Sequence, residues 1–422
     1  MSKIGWIDFS SDERDKVKQV LDALNEPGTL DELGIGQIRD AFANRLFPGL
    51  STIQTRAKYF ITVSRLLRGI QMGNAKKSKT PQLWLERQEH LLAQQLVDAS
   101  YRDSGLLEQG IIGAESIKQG GVSRRPSSIY WNGLKTFGIV HTALSLREFC
   151  SKLANNSHVA HTTDHTHQEG ADDDDVDRMM RLIDLPNTDD YWQSDEKLSI
   201  HLTEVEAQFL RDKLMTAATV EHSVPAQILK VGGVSALLQR AEDVQGETVT
   251  LDAFEFDVMV EVLINHHKVS ELCKNRLKQA QAFSLAMEGP HICYNLLLEE
   301  DKDLKASRQI EFYEWEKKAK RQKVFHKRCV DNWFDAILGS RINPKSRDFV
   351  ASWCELMQQG ASQSELESLV DSRARANKGP RCLLNKKRHS KGWTGIRRLE
   401  FRWPNARRLL VDIEDGLEGG EC

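Results

Sequence analysis

The chain is poor in the features that would mark it as membrane-bound, secreted or fibrous. No stretch approaches the roughly 18 consecutive apolar residues of a spanning helix. The opening MSKIGWIDFSSDERD lacks the apolar core of a signal peptide. Ten prolines and 27 glycines in 422 residues exclude a collagen-like or proline-rich chain. Seven cysteines, the nearest pair 20 residues apart, leave no CxxC zinc or redox motif and no disulfide framework. These absences predict a soluble, cytoplasmic protein without membrane contact. What is present is enough for folding: 40% hydrophobic residues can build real cores, and the length allows two or three domains at roughly 150 residues each.

Net charge is also nearly absent, at −3, but the total hides a strong asymmetry. Arg373–Arg408 holds 13 basic residues against the single acid Glu400, a local charge of +12. Leu304–Arg328 holds nine basic residues and three acids, giving +6. The other 361 residues therefore carry −21, much of it around Asp164–Asp177 and in a tail containing Asp412, Glu414, Asp415, Glu418 and Glu421. Local fields of this kind govern binding more than the whole-chain charge does.

Apolar spacing predicts a mainly α, multi-helical protein with minor β, its short strands near the two termini. IGWIDF (4–9) reads as a strand, and Ser10 and Ser11 offer a cap to a helix over Val17–Leu24. Leu33, Ile38, Phe42 and Leu46 predict a helix ending at Pro48-Gly49, and Ser51 is a candidate cap for the next. Leu83–Val97 is helical, whereas Gly105–Gly138 reads as ordered but irregular. Asn155–Asp177 is polar and rich in His and Asp, too poor in apolar surface to offset its ordering entropy, and reads as a flexible linker. Thr203 and Glu206 form a capping-box pattern. Phe254–Ala286 predicts one long helix or two shorter ones, and IRRLEFRW (396–403) a strand. LLVDI (409–413) fits a second strand or a helix start. The expected regions are 1–154 (helical), 155–177 (linker), 178–370 (helical) and 371–422 (basic, with an acidic tail).

No motif assembles a specific catalytic site. His158, His161, His165 and His167 have metal-compatible spacing, but a flexible tract offers neither fixed geometry nor supporting hydrogen bonds, so no metal is expected. GNAKKSKT (73–80) nearly matches a phosphate-cradling loop, yet Ser78 replaces its second glycine and a helix precedes it. His389-Ser390-Lys391 matches half of a phospholipase-D-type nuclease motif, but Ile396 stands where an acid is needed. Asp8, Asp40 and Glu115 are acids that could face a cleft, each without a partner pattern. GxSxG, HExxH and the glycine-rich dinucleotide signature do not occur. No cofactor is expected, and the catalytic residues, if any, are unknown.

The basic segments carry the functional expectation. In Leu304–Arg328, Phe312, Trp315 and Ala319 fall on one helical stripe, which suits core packing, while the charged face suits phosphate. In the C-terminal strip the candidate nucleic-acid contacts are Arg381, Lys386, Lys387, Arg388, Lys391, Arg397, Arg398 and Arg402. Trp393, Phe401 and Trp403 are interleaved among them, which suits base stacking and burial equally. Three things could neutralise the strip: a phosphate backbone, an acidic partner, or the chain's own acids.

Several stretches together resemble the uncharacterised bacterial domain-of-unknown-function family 6361. They are GWIDFS (5–10), TLDELGIGQIRDAF (29–42), LFPGLSTIQTRAKYF (46–60), PSSIYWNGLKTFGI (126–139), LTEVEAQFLRD (202–212), YNLLLEE (294–300) and RLEFRWPNARRLLVDIEDGL (398–417). After TRAKYF the family tends to continue with aromatics and proline, where this chain has ITVSRLL. The resemblance implies a place in multi-gene loci with helicases and phospholipase-D-type nucleases, of the sort that defend bacteria against phage. Within the resemblance, Arg39 and Arg56 are candidate phosphate anchors, with a buried ion pair to Asp40 as the alternative.

Taken together, these readings predict a non-catalytic component of an anti-phage complex, binding DNA or RNA or scaffolding separate helicase and nuclease subunits. The alternatives are a protein-interaction scaffold without nucleic-acid contact, and a metal-dependent nuclease with an unfamiliar site.

Overall fold

The computed structural model describes residues 31–119, 124–162, 182–187, 198–246, 248–385 and 392–419. Among them are fifteen α-helices and three short 3-10 turns; there is no strand, only an isolated antiparallel bridge between Val140 and Ile183. In chain order α1 is Gly36–Leu46, α2 Lys58–Gln71, α3 Pro81–Ser104, α4 Pro126–Thr136 and α5 Leu146–Thr162. Then follow α6 Glu204–Thr216, α7 Val224–Lys230, α8 Gly233–Gln245, α9 Phe256–Asn265 and α10 Glu271–Leu298. The last five are α11 Lys302–Arg321, α12 Cys329–Ala336, α13 Pro344–Gln359, α14 Gln363–Lys378 and α15 Trp403–Leu417.

The residues group into two compact units, each drawing on both halves of the sequence. One contains the described residues up to Arg45 together with Asn275–Phe401, and the other Leu46–Lys274 together with the residues from Arg402 on. The expected linker begins inside α5, which runs on to Thr162, and residues 163–177 lie outside the described residues.

In the second unit, α2 packs on α3, α4 and α5, and α15 packs on α6 and α8. The predicted capping box is present at α6. Thr203 Oγ1 accepts from Glu206 N–H at 3.4 Å, and the Glu206 carboxylate accepts from Thr203 N–H at 3.0 Å. Glu206 also receives the buried Lys58 ammonium at 2.7 Å, so one carboxylate both caps a helix and holds an ion pair. Gly105–Gly138 is more regular than its composition predicts. Its SSIYW lies in α4, which Pro126 starts by fixing φ at a position where no N–H is needed. Glu89 of α3 docks that helix start, accepting from Ser127 N–H at 2.6 Å, and burial pushes its carboxyl up to about 7.

In the first unit, α10 carries Gly289-Pro290 in its interior. Pro290 has no N–H to give the Ala286 carbonyl. Trp315 of α11 packs onto Gly289, where an added Cβ would stand 2.2 Å from the indole, and its Nε1 donates to Leu285 O at 2.7 Å. Phe312, Trp315 and Ala319 are buried, as the stripe predicts. The thiols of Cys329 and Cys354 are buried and hydrogen-bonded to each other, which lowers the Cys329 thiol and raises that of Cys354.

The expected C-terminal strand does not form. Residues 396–402 form no strand, and LLVDI sits inside α15. The alternation of IRRLEFRW mimics a strand, but the backbone turns at Phe401 (φ 50°) and Arg402 (φ 77°), and Pro404 then begins a helix. Upstream, Leu399 spends its N–H and C=O on the Ser284 hydroxyl rather than on a neighbouring strand. The N-terminal strand expected over residues 4–9 lies outside the described residues.

Candidate functional site

Among the described residues, a row of exposed cations lies on α11 and the turn after it. Asp301 caps the helix by accepting from Asp303 and Leu304 N–H, and the Trp315 anchor fixes its rotation. At 100° per residue, burying Phe312, Trp315 and Ala319 turns Ile310, Tyr313, Lys317, Lys320 and Arg321 outward. Lys320 pairs with Glu316 at 2.8 Å, and Arg308 with Glu311 at 2.8 Å. Lys317, Arg321, Lys323, Lys327 and Arg328 are exposed and make no ion pair among the described residues.

The helix ends in a turn that normally selects glycine. Val324 N–H reaches Ala319 O at 3.2 Å and Lys323 N–H reaches Lys320 O at 3.0 Å, with Lys323 left-handed at φ 51°. Val324 is buried, as the hydrophobic closure of this motif requires. A lysine in this conformation costs about 1 kcal/mol relative to glycine, so the turn carries a positive charge at a conformational cost. No spacing in the sequence signals this, because the left-handed position is set by where the helix stops.

The C-terminal strip behaves differently. Arg373 lies half-buried against Phe349 and donates to Leu33 O at 2.7 Å and Gly34 O at 3.3 Å. Arg375 pairs with Asp371 at 2.8 Å, and Lys378 reaches the buried Glu32 at 3.6 Å. Arg397 pairs with Glu311 at 3.2 Å and stacks on Trp393, over which Arg308 also lies at 4.8 Å from the ring centre. Arg398 is partly buried. Arg402 donates to Leu50 O at 2.7 Å, and Arg407 to Phe254 O at 3.0 Å. Phe401 and Trp403 are buried, which removes them from base stacking. Arg381 and Arg408 remain exposed, while Lys386, Lys387, Arg388 and Lys391 lie outside the described residues.

Two acids of the tail sit at helix N-termini. Asp412 sits at the start of α2, accepting from Ala57 N–H at 2.7 Å and from Arg56 Nε at 2.9 and 3.1 Å. Glu414 sits at the start of α8, accepting from Val234 and Ser235 N–H. Gly233 permits that approach, since a Cβ there would fall 2.0 Å from Glu414 Oε1. Carboxylates at helix N-termini are favourable because the unpaired N–H groups and the helix dipole present positive charge.

The two proposed anchors are also spoken for. Arg39 makes a half-exposed pair with Asp40 at 2.9 Å. Arg56 is buried, its guanidinium divided among Asp412, the Gln109 carbonyl at 3.3 Å, Glu108 at 3.5 Å and His201 Nδ1 at 3.3 Å. His201 Nε2 lies 2.8 Å from Glu108, so Nδ1 accepts from Arg56 while Nε2 donates. Glu108 and Glu115 line an open cleft of about 390 Å³ formed by residues 107–116, so Glu115 does face a cleft. Asp40 is committed to Arg39, and Asp8 lies outside the described residues.

Among the described residues no group of three or more His, Cys, Asp or Glu side chains is placed to hold a metal ion, and His165 and His167 lie outside them. Nor is any helix among them long and apolar enough to cross a membrane.

No curated protein and no solved structure matches the chain. The model of the family of unknown function DUF6361 matches residues 1–417, and the chain belongs to that family.

Proposed function

We propose that the chain is a non-catalytic nucleic-acid-binding protein that makes its contact through the outward face of α11 and the turn that follows. The observation that carries this reading is the row Lys317, Arg321, Lys323, Lys327 and Arg328, exposed and without ion-pair partners among the described residues. Such charges repel one another in isolation, and a phosphate backbone relieves the repulsion while releasing its condensed counterions. In the helicase and nuclease setting that the family resemblance implies, a binder of this kind supplies cytoplasmic DNA or RNA engagement to enzymes that do the cutting and unwinding.

The test is fluorescence anisotropy of the full chain with labelled DNA over a range of salt. The wild type is expected to bind with a steep salt dependence. The variant K317Q/R321Q/K327Q is expected to bind at least tenfold more weakly at low salt, its log–log salt slope reduced by about 2 to 3, at roughly 0.7–0.9 per lost phosphate contact. Unchanged affinity and slope in this folded variant overturn the proposal. The companion variant R397Q/R398Q is expected to change binding little, because Arg397 is already engaged with Glu311 and Trp393.

A further inference from the structure

The outward face of α11 is not purely ionic. Ile310 and Tyr313 are 65% and 60% exposed, high values for large apolar side chains. They lie one turn apart, and Lys317 follows Tyr313 by four residues, as Arg321 follows Lys317. Helical side chains lean toward the N-terminus, so the Lys317 stem lies over the turn bearing Tyr313. The phenol ring therefore stands in a row with two cations spaced about 6 Å apart along the axis, and Lys323 follows at the turn. Two acids share the outward face, Glu314 beside Arg321 and Asp303 two turns before Ile310.

Two kinds of partner could cover an exposed aromatic ring. A protein interface buries its rings in a core from which lysine is depleted. Here the ring is followed by lysine and arginine at every turn to the end of the helix, and the turn keeps a lysine where glycine would be less strained. Aromatic rings set along a cationic track are the arrangement that single strands use, since only an unpaired base offers its π face while its backbone lies along the charges. A duplex hides those faces.

We infer that this face binds single-stranded nucleic acid, with Tyr313 stacking on an unpaired base and Lys317, Arg321 and Lys323 meeting the adjacent phosphates. The inference rests on the nucleic-acid reading above and narrows it to one class of ligand. Phe312 and Trp315, the other rings of the helix, are buried and take no part.

The experiment compares the full chain's affinity for oligothymidylate, oligouridylate and a blunt duplex of equal length, each as a function of salt, with an acidic polyglutamate as competitor. Single strands are expected to bind at least tenfold more tightly than the duplex. Y313A is expected to weaken single-strand binding by about 5- to 150-fold with little change in salt slope, Y313F to retain it, and both to keep the wild-type circular dichroism spectrum and thermal midpoint. Equal binding of duplex and single strand, with Y313A silent, overturns the inference and leaves the nucleic-acid reading standing. Polyglutamate that binds as tightly as oligothymidylate and is lost with Y313A overturns it in favour of an acidic protein partner. No binding of any nucleic acid at low salt overturns the broader reading along with it.

Discussion

The +6 helix and the +12 strip look like two versions of one feature, yet the fold uses them in opposite ways. On α11 most cations face out, and among the described residues Arg308 and Lys320 are tied to neighbouring acids at 2.8 Å. In the strip, Arg373, Arg375, Lys378, Arg397, Arg402 and Arg407 all turn to carboxylates or backbone carbonyls of the chain itself. Density of charge in the sequence is therefore a poor guide to charge available for binding. An arginine donates through a flat fork of five N–H groups and suits carbonyl-rich crevices, whereas lysine is a strongly hydrated point charge better left in solvent. The composition follows that chemistry: the internally engaged residues of the strip are mostly arginines, and α11 with its turn is mostly lysine.

If charge is divided in this way between internal and external uses, breaking an internal pair should cost stability. The largest effect is expected from Asp412→Ala, which leaves the buried Arg56 Nε and the Ala57 N–H without their acceptor. Removing one partner of such a pair costs about 3–5 kcal/mol, readable by urea unfolding. A loss below about 1 kcal/mol would show that Arg56 is not held by this contact.

Glu89 extends the comparison to an acid held inside. Its carboxyl lies near 7 in the folded protein, above its ordinary value of 4.5, so the folded state holds its proton more tightly than the unfolded chain. This contribution to stability is fully present below about pH 4.5 and is lost as pH rises through 7, by about 3 kcal/mol. Glu89→Gln should flatten that part of the stability–pH curve, and an unaltered curve would refute the assignment.

A smaller cost, about 1–3 kcal/mol, is expected from Arg373→Ala, which strips donors from the Leu33 and Gly34 carbonyls while leaving nucleic-acid affinity as it was. The least but most pointed change is Lys323→Gly. It should raise stability by about 1 kcal/mol through relief of the left-handed backbone and yet weaken binding, the two effects moving in opposite directions. If Lys323→Gly gained stability without losing affinity, the charge at the turn would have no role.

Much of the helical framework was legible in the chain. Leu33, Ile38, Phe42 and Leu46 lie buried as their spacing requires, and Thr203 with Glu206 caps α6 because that motif is purely local. The Phe312–Trp315–Ala319 stripe likewise announced which side of α11 is buried, and by subtraction the side that carries Tyr313 and the cations. Local alternation misled at IRRLEFRW, where Leu399, Phe401 and Trp403 are all buried on irregular backbone and a helix start. Ser51 likewise resembles a cap, but its N–H goes to Gln54 Oε1, and α2 begins only at Lys58.

Sequence alone determined the family, the helical character and the amount of charge in each segment, because these depend on residue identity and on neighbours three or four positions away. It could not determine which charges are free. Arg56 meets Asp412 from 356 residues away, and Arg373 meets Leu33 across 340. Such pairings are fixed only when the helices pack, since a few ångströms decide whether a guanidinium finds a carboxylate or water. The −3 of the whole chain and the +12 of the strip are sums over residues; that the row on α11 and its turn is exposed without ion pairs among the described residues is a matter of tertiary structure.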